Sequence, residues 1–123
     1  MIKKLDHLVI TTTDRAACIA FYEKLGFRAQ EAVGRTELFA GDFKINVHLK
    51  GHELEPKAAH VQPGSADLCF EVEHDLAFCR ALLLKNGLVP ILNDVPRHGV
   101  RGAMHSLYLR DPDENLIELC CYE

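Results

Sequence analysis

The sequence predicts an α+β fold of two βαβββ modules that form a curved mixed sheet around a cavity. Three observations carry this expectation. Short runs of apolar alternation mark strands at matched places in both halves. Two stretches of helical periodicity sit at equivalent positions behind the first strand of each half. The halves also align residue by residue at nearly constant offsets, with too few and too long units for a solenoid. At 123 residues the chain is expected to be a single domain over 1–123. Module one covers about 4–50, a linker about 51–65, and module two about 66–123.

The first strand is expected from Leu5 to Thr12, and Asp14 suits the N-cap of the following helix. Cys18, Phe21, Tyr22 and Leu25 fall at i, i+3, i+4 and i+7, one apolar helical face, and Gly26 supplies the stop. Phe27 to Glu31, Thr36 to Ala40 and Lys44 to Lys50 read as strands, separated by turns at Gly34 and Gly41-Asp42. Gly51 to Ser65 holds two prolines and no periodicity, which reads as a linker or excursion.

Ala66 to Glu73 reads as the first strand of module two, with Asp75 as the second N-cap. The apolar face of the second helix is expected to be Cys79, Leu82 and Leu83, ending at Asn86 and Gly87. Each of these lies 61 beyond its counterpart: Cys18/Cys79, Phe21/Leu82, Tyr22/Leu83, Leu25/Asn86, Gly26/Gly87. Strands follow at Val89 to Leu92, His105 to Arg110 and Leu116 to Tyr122, with a longer loop over Asn93 to Gly102. First strands align at an offset of 60 (Leu8/Leu68, Ile10/Phe70) and last strands at 72 (Ile45/Ile117, Val47/Leu119).

A formal net charge of -4 argues against nucleic acid or an acidic membrane as main partner. No run of about 18 apolar residues is present to span a bilayer, and the N-terminal segment lacks the apolar core of a signal peptide. The five cysteines, Cys18, Cys69, Cys79, Cys120 and Cys121, form no C-x-x-C pair. A reduced, cytoplasmic protein is expected.

The polar residues inside these strands point to chemistry. Glu118 stands between Ile117 and Leu119, and alternation sends it to the face opposite theirs. If that face is covered, the carboxylate costs on the order of several kcal/mol unless a cation or donor meets it. The repeat offsets equate His7 with Asp67 and Asn46 with Glu118. Four ligand-capable side chains thus occupy matched strand positions, a mixture of imidazole and oxygen donors that suits a divalent first-row metal. Plainer roles remain open for each: a hydrogen-bonded His7, a capping Asp67, a solvated Asn46. His48, two residues past Asn46, either replaces it or lines the substrate cavity. The loop holding Arg97 and Arg101 could act as a lid that grips an anionic substrate. Ser106 and Tyr108 share one strand face, with Tyr108 a proton donor, a substrate contact or a core residue.

Leu-Asp-His-Leu-Val-Ile (5–10), Phe-Tyr-Glu-Lys-Leu-Gly-Phe (21–27) and Asp-Pro-Asp-Glu-Asn-Leu-Ile-Glu (111–118) carry a family resemblance. The chain resembles the vicinal oxygen chelate superfamily, the glyoxalase / bleomycin-resistance / dioxygenase group, including its bacterial virulence-associated members. Phe-Lys-Ile-Asn-Val-His (43–48), Pro-Gly-Ser-Ala-Asp-Leu-Cys-Phe (63–70) and Val-Pro-Arg-His-Gly (95–99) extend the likeness over nearly the whole chain. The resemblance implies paired βαβββ modules, commonly a homodimer, and a divalent metal (Mn, Fe, Ni or Zn) that a small-molecule substrate chelates through oxygen. It maps metal ligands onto His7, Asp67 and Glu118, with Asn46 at the fourth place, and leaves Glu118 and Tyr108 as catalytic candidates. His48, Arg97, Arg101, Ser106 and Tyr108 are the expected substrate contacts. Asn46 and Asp67 depart from the ligand sets of lactoylglutathione lyases and extradiol dioxygenases. A metal-dependent lyase or isomerase is the leading expectation. The alternatives are a metal-free protein that sequesters a small molecule and, behind it, an extradiol dioxygenase.

Overall fold

The computed structural model describes residues 1–123 as two compact units, Met1–Ser65 and Ala66–Glu123. Each is a four-stranded mixed sheet with one helix, in the order βαβββ. In the first unit, β1 (His7–Thr12) leads through α1 (Arg15–Lys24) to β2 (Arg28–Ala32), β3 (Arg35–Ala40) and β4 (Phe43–Leu49). The sheet order is β1-β4-β3-β2, with β1 and β4 parallel and the other pairs antiparallel. In the second, β5 (Asp67–Glu71), α2 (Leu76–Lys85), β6 (Leu92–Gly99), β7 (Gly102–Arg110) and β8 (Leu116–Tyr122) give the order β5-β8-β7-β6. No helix is long and apolar enough to cross a membrane.

The repeat extends to the atoms of the helix ends. Asp14 Oδ1 accepts from the Ala17 amide at 3.1 Å and Asp75 Oδ1 from the Phe78 amide at 2.8 Å, so each aspartate satisfies one orphan donor of its helix. At the far ends Phe27 N–H reaches Tyr22 O at 3.0 Å and Leu88 N–H reaches Leu83 O at 2.9 Å. Both closures need a residue of positive φ just before them, supplied by Gly26 (104°) and Gly87 (76°).

One face of each sheet carries its core. Ile10, Leu38, Ile45 and Val47 are buried in the first unit together with Cys18, Phe21 and Tyr22 of α1. Tyr22 stacks edge-on with Phe21 and Phe27 at centroid distances of 5.1 and 5.5 Å. Leu107, Leu109, Ile117 and Leu119 are the counterparts in the second unit, where α2 lies on β7 and β8. Three expectations need correction here, the first being the strand expected at Val89 to Leu92, which begins only at Leu92 as β6. The buried stripe of α2 is Leu76, Cys79 and Leu83, at i, i+3 and i+7, so Leu82 falls on its flank and is 44% exposed. The segment expected as a lid loop over Asn93 to Gly102 is instead a β-hairpin, with β6 paired to β7 and a turn at Val100-Arg101. β6 is an edge strand exposed on both faces, so it shows no apolar alternation and tolerates Pro96. A bulge between Leu92 and Val95, with Asp94 at φ 46°, further obscures its period.

The Asp111–Asn115 turn sets the register of β8. Asp111 Oδ1 accepts from the amides of Asp113 and Asn115 at 2.9 and 3.0 Å, and Oδ2 from Asn115 Nδ2 at 2.7 Å. Asn115 Oδ1 in turn accepts from the Ala66 amide at 2.8 Å, pinning the turn to the entry of β5. Both side chains are buried. Residues 51–65 belong to the first unit, and Leu54 packs close against the Gly34 turn.

Candidate functional site

The face of each sheet opposite the core collects the polar residues. In the second unit, cross-strand register puts Asp67, Cys69 and Glu71 of β5 beside Leu116, Glu118 and Cys120 of β8, and Tyr108 and Ser106 of β7 beyond them. Cys69 and Tyr108 are the direct partners of Glu118 on its two sides. Glu118 Oε1 is nonetheless buried with no hydrogen-bond partner, as is Ser106 Oγ. Arg97 of β6 completes the row: its Nε donates to Tyr108 Oη at 2.8 Å, and its guanidinium lies 5.2 Å from the ring centroid. Burial pushes the Tyr108 phenol up, Arg97 opposes that shift, and the Glu118 carboxylate adds to it, so the phenol stays protonated at neutral pH. Cys69 is exposed as a residue, yet local desolvation around its sulfur, the neighbouring Cys120 thiol and Glu118 push its thiol up, and burial raises Cys120 too. Both are thiols rather than nucleophilic thiolates at neutral pH.

In the first unit His7 opens β1 and keeps an exposed ring, with Nδ1 2.7 Å from Asp6 Oδ1. That contact holds the Asp6 carboxyl below its ordinary range. It also occupies Nδ1 and leaves Nε2 as the second ring nitrogen. Asn46 pairs with Val9 on one side and Glu37 on the other, two positions along from the His7–Lys44 pair. It is buried, and its Oδ1 has no partner. His48, on the same face, is buried as well; burial and the nearby Arg35 charge push its imidazole down, leaving it neutral at physiological pH.

No three His, Cys, Asp or Glu side chains come together as a metal ion would require. The first unit offers His7 and Asn46, the second Asp67 and Glu118, and each pair shares one sheet face. Taken one by one, these donors are of the chemical kind that suits a divalent ion. Glu118 has an unpartnered buried oxygen, His7 has a ring nitrogen aligned by a carboxylate, and Asp67 is exposed.

Sequence reasoning missed several residues. Arg35, Glu37 and Lys44 form an ion-paired cluster on the open face of the first unit, with Glu37 holding Arg35 at 3.1 Å and Lys44 at 2.9 Å. The signal was present as Arg35 and Glu37 two apart on one strand, but the third member arrives from another strand. Arg101 is committed to a two-point ion pair with Glu71 (2.6 and 3.2 Å) and lies 4.1 Å over the Tyr122 ring.

His105 points away from this face and bonds Asp94 at 2.6 Å and Glu123 at 3.0 Å. Asp94 foremost, then Glu123, raises its imidazole above the ordinary value of 6.5. A raised folded value means that the stabilisation is complete below about pH 6.5 and fades as pH rises through that raised value. Thermal melts should therefore separate wild type from His105→Gln at pH 5.5 and bring them together at alkaline pH. A difference that grows with pH would refute the imidazolium clamp.

Comparison with known proteins bears on the family and the fold. The family profile described as Glyoxalase/Bleomycin resistance protein/Dioxygenase superfamily matches residues 4–119. The chain is 46% identical to a glyoxalase domain-containing protein of Mycosarcoma maydis, over 99% of this chain and 70% of that one. It is 42% identical to a virulence protein of Salmonella typhimurium, over 99% and 86%. The crystal structure of that virulence protein superposes with a TM-score of 0.97 at 42% identity, covering 100% of this chain and 99% of the other. A lactoylglutathione lyase from Agrobacterium tumefaciens, 15% identical, shares the fold alone, with a TM-score of 0.76 over 98% and 95%. The chain therefore belongs to the Glyoxalase/Bleomycin resistance protein/Dioxygenase superfamily.

Proposed function

We propose that the protein is a divalent-metal-dependent enzyme of lyase or isomerase type, acting on a small substrate through its oxygen atoms. The observation that carries this is Glu118 Oε1, a buried carboxylate oxygen without a partner on a face rich in polar groups. Leaving such an atom unpaired costs roughly 1–3 kcal/mol, a cost that a metal ligand removes. His7, Asp67 and Glu118 would hold the ion, with Asn46 at the fourth expected ligand position. When bound, a divalent ion of the Mn, Fe, Ni or Zn kind polarises a substrate oxygen.

The chain's own residues supply the rest. Tyr108 is kept protonated and donates its proton or hydrogen bond at Oη, while Arg97 fixes where that oxygen sits. Because Arg97 Nε already donates to Tyr108 Oη, the phenolic proton is free for Glu118 or the substrate. Ser106 Oγ adds an unpartnered hydroxyl to the same face, and neutral His48 can accept a proton. A homodimer is part of the proposal, supported by the exposed Phe78 and Leu82 of α2.

Metal analysis of protein purified without chelator tests the proposal. About one ion per chain is expected in wild type, and most of it should be lost in both Glu118→Gln and His7→Ala. No metal in any of them, and no uptake of added divalent ions, would overturn it in favour of a metal-free binding protein.

A further inference from the structure

The bulge of β6 is grasped by side chains from two other elements. Leu92 pairs with Tyr108 and Val95 with Ser106, so Asn93 and Asp94 together stand opposite the single residue Leu107. Asp94 is left-handed there, with φ 46°. Arg80 Nε of α2 donates to Asn93 Oδ1 at 3.0 Å, and His105 Nδ1 of β7 lies 2.6 Å from Asp94 Oδ1. The other ring nitrogen of His105 lies 3.0 Å from Glu123 Oε1, just past β8. An ionised carboxylate only accepts, so both contacts are hydrogen bonds only when both ring nitrogens carry a proton. A neutral ring turns a lone pair towards one of the two carboxylates. The remaining titratable or charged groups on this side are His98 of β6, Cys121 of β8 directly across from His105, and Cys79 and Arg80 of α2.

The same strand carries Arg97 on its opposite face. Arg97 pairs with Met104 and Leu92 with Tyr108, so the two rungs are four residues of β7, roughly 13 Å, apart. Arg97 Nε and Tyr108 Oη meet at 2.8 Å because both side chains lean over the Ser106 rung between them, beside the point where the bulge bends the strand.

We propose that His105 is a positioning residue whose proton sets the bend of β6 and, through it, the contact of Arg97 with Tyr108. As an imidazolium it ties the bulge to β7 and to the end of β8. When the proton leaves to solvent, Asp94 is released, the bulge relaxes and Arg97 loses its hydrogen bond to Tyr108 Oη. The bond from Asp94 foremost, then Glu123, raises the imidazole above 6.5, so the clamp is closed at lower pH and opens as pH rises through that raised value. Its groups are exposed, which keeps the clamp weak, and a bulge on an edge strand is an element that a weak contact can shift. For its catalytic meaning the inference rests on the enzyme reading above, in which Tyr108 donates at Oη. The coupling itself needs no metal.

The test follows the Arg97 Nε–Hε, Tyr108 ring and His105 ring signals by NMR from about pH 5.5 to 9 in the chelated full chain. In wild type the Arg97 and Tyr108 signals should shift with the midpoint of His105. In His105→Gln they should stay still across the range, at their alkaline wild-type positions. Asp94→Asn should move the His105 midpoint down and carry the Arg97 and Tyr108 midpoints with it, while His98→Gln should leave all three unchanged. Arg97 and Tyr108 signals that titrate in His105→Gln as in wild type, that stay still while His105 titrates, or that keep their midpoint in Asp94→Asn would each overturn the coupling. Metal uptake is measured alongside on the unchelated proteins. Coupled signals without any uptake leave the clamp standing and remove its catalytic meaning; uptake with uncoupled signals removes the clamp and leaves the enzyme reading.

Discussion

Replacing Asp111 with Ala is expected to destabilise the protein by about 3–5 kcal/mol, among the largest effects of any polar substitution in the chain. Its carboxylate accepts three hydrogen bonds inside the turn, two from backbone amides and one from Asn115 Nδ2. Hydrogen bonds to a charged acceptor are worth roughly 1.5–3 kcal/mol each, and the Asn115 amide and side chain would be left buried and unpaired. The damage spreads, because Asn115 also holds the Ala66 amide at the start of β5, and Leu116 N–H bonds Ala66 O at 3.0 Å. Both strands beside Glu118 lose their anchor together. Urea unfolding should show a lower midpoint at unchanged slope. Asn115→Ala should cost less, since the Asp111 carboxylate would keep its two amide donors. A loss under 1 kcal/mol for Asp111→Ala would mean that the turn closes without its carboxylate.

Glu118→Leu is expected to act in two directions at once. Metal should be lost altogether, since Leu offers no donor. The chelated protein should become more stable, by about 1 kcal/mol or a rise of roughly 3–5 °C in Tm. Leu fills a similar volume, continues the apolar character of β8, and removes a buried oxygen that has no partner. The gain is modest because Glu118 is only half-buried and its carboxylate also interacts with the neighbouring Tyr108 and Cys69. Functional sites often hold such locally unfavourable groups, and removing them trades activity for stability. A destabilised Glu118→Leu protein in chelator would show that Tyr108 and Cys69 already satisfy the carboxylate, and its role would then be structural.

Much of this was legible before any coordinates. The N-caps Asp14 and Asp75, the closing Gly26 and Gly87 and the apolar stripe of α1 are local features, encoded within about one helical turn, and the structure has each where periodicity puts it. The opposite facing of Glu118 and Ile117 follows from strand alternation alone. β6 was not legible. An edge strand exposed on both faces buries little, so no apolar period was selected into it, and Pro96, Gly99 and the charged Asp94 and Arg97 made it look like a loop. Leu82 was misplaced because a stripe at 76, 79 and 83 and one at 79, 82 and 83 share two members, and only packing chooses between them.

The sequence by itself determined the two modules, the ends of their helices and the repeat offsets that equate His7 with Asp67 and Asn46 with Glu118. The tertiary structure alone decided which polar atoms found partners. Arg101 is used up by Glu71, Arg97 by Tyr108, and Glu37 by two cations, while Glu118 Oε1, Asn46 Oδ1 and Arg35 Nε are left over. Partnership of this kind depends on cross-strand register and on angstrom-scale reach between residues distant in the chain. Periodicity can assign a side chain to a face. It cannot say whether another side chain is waiting there to meet it.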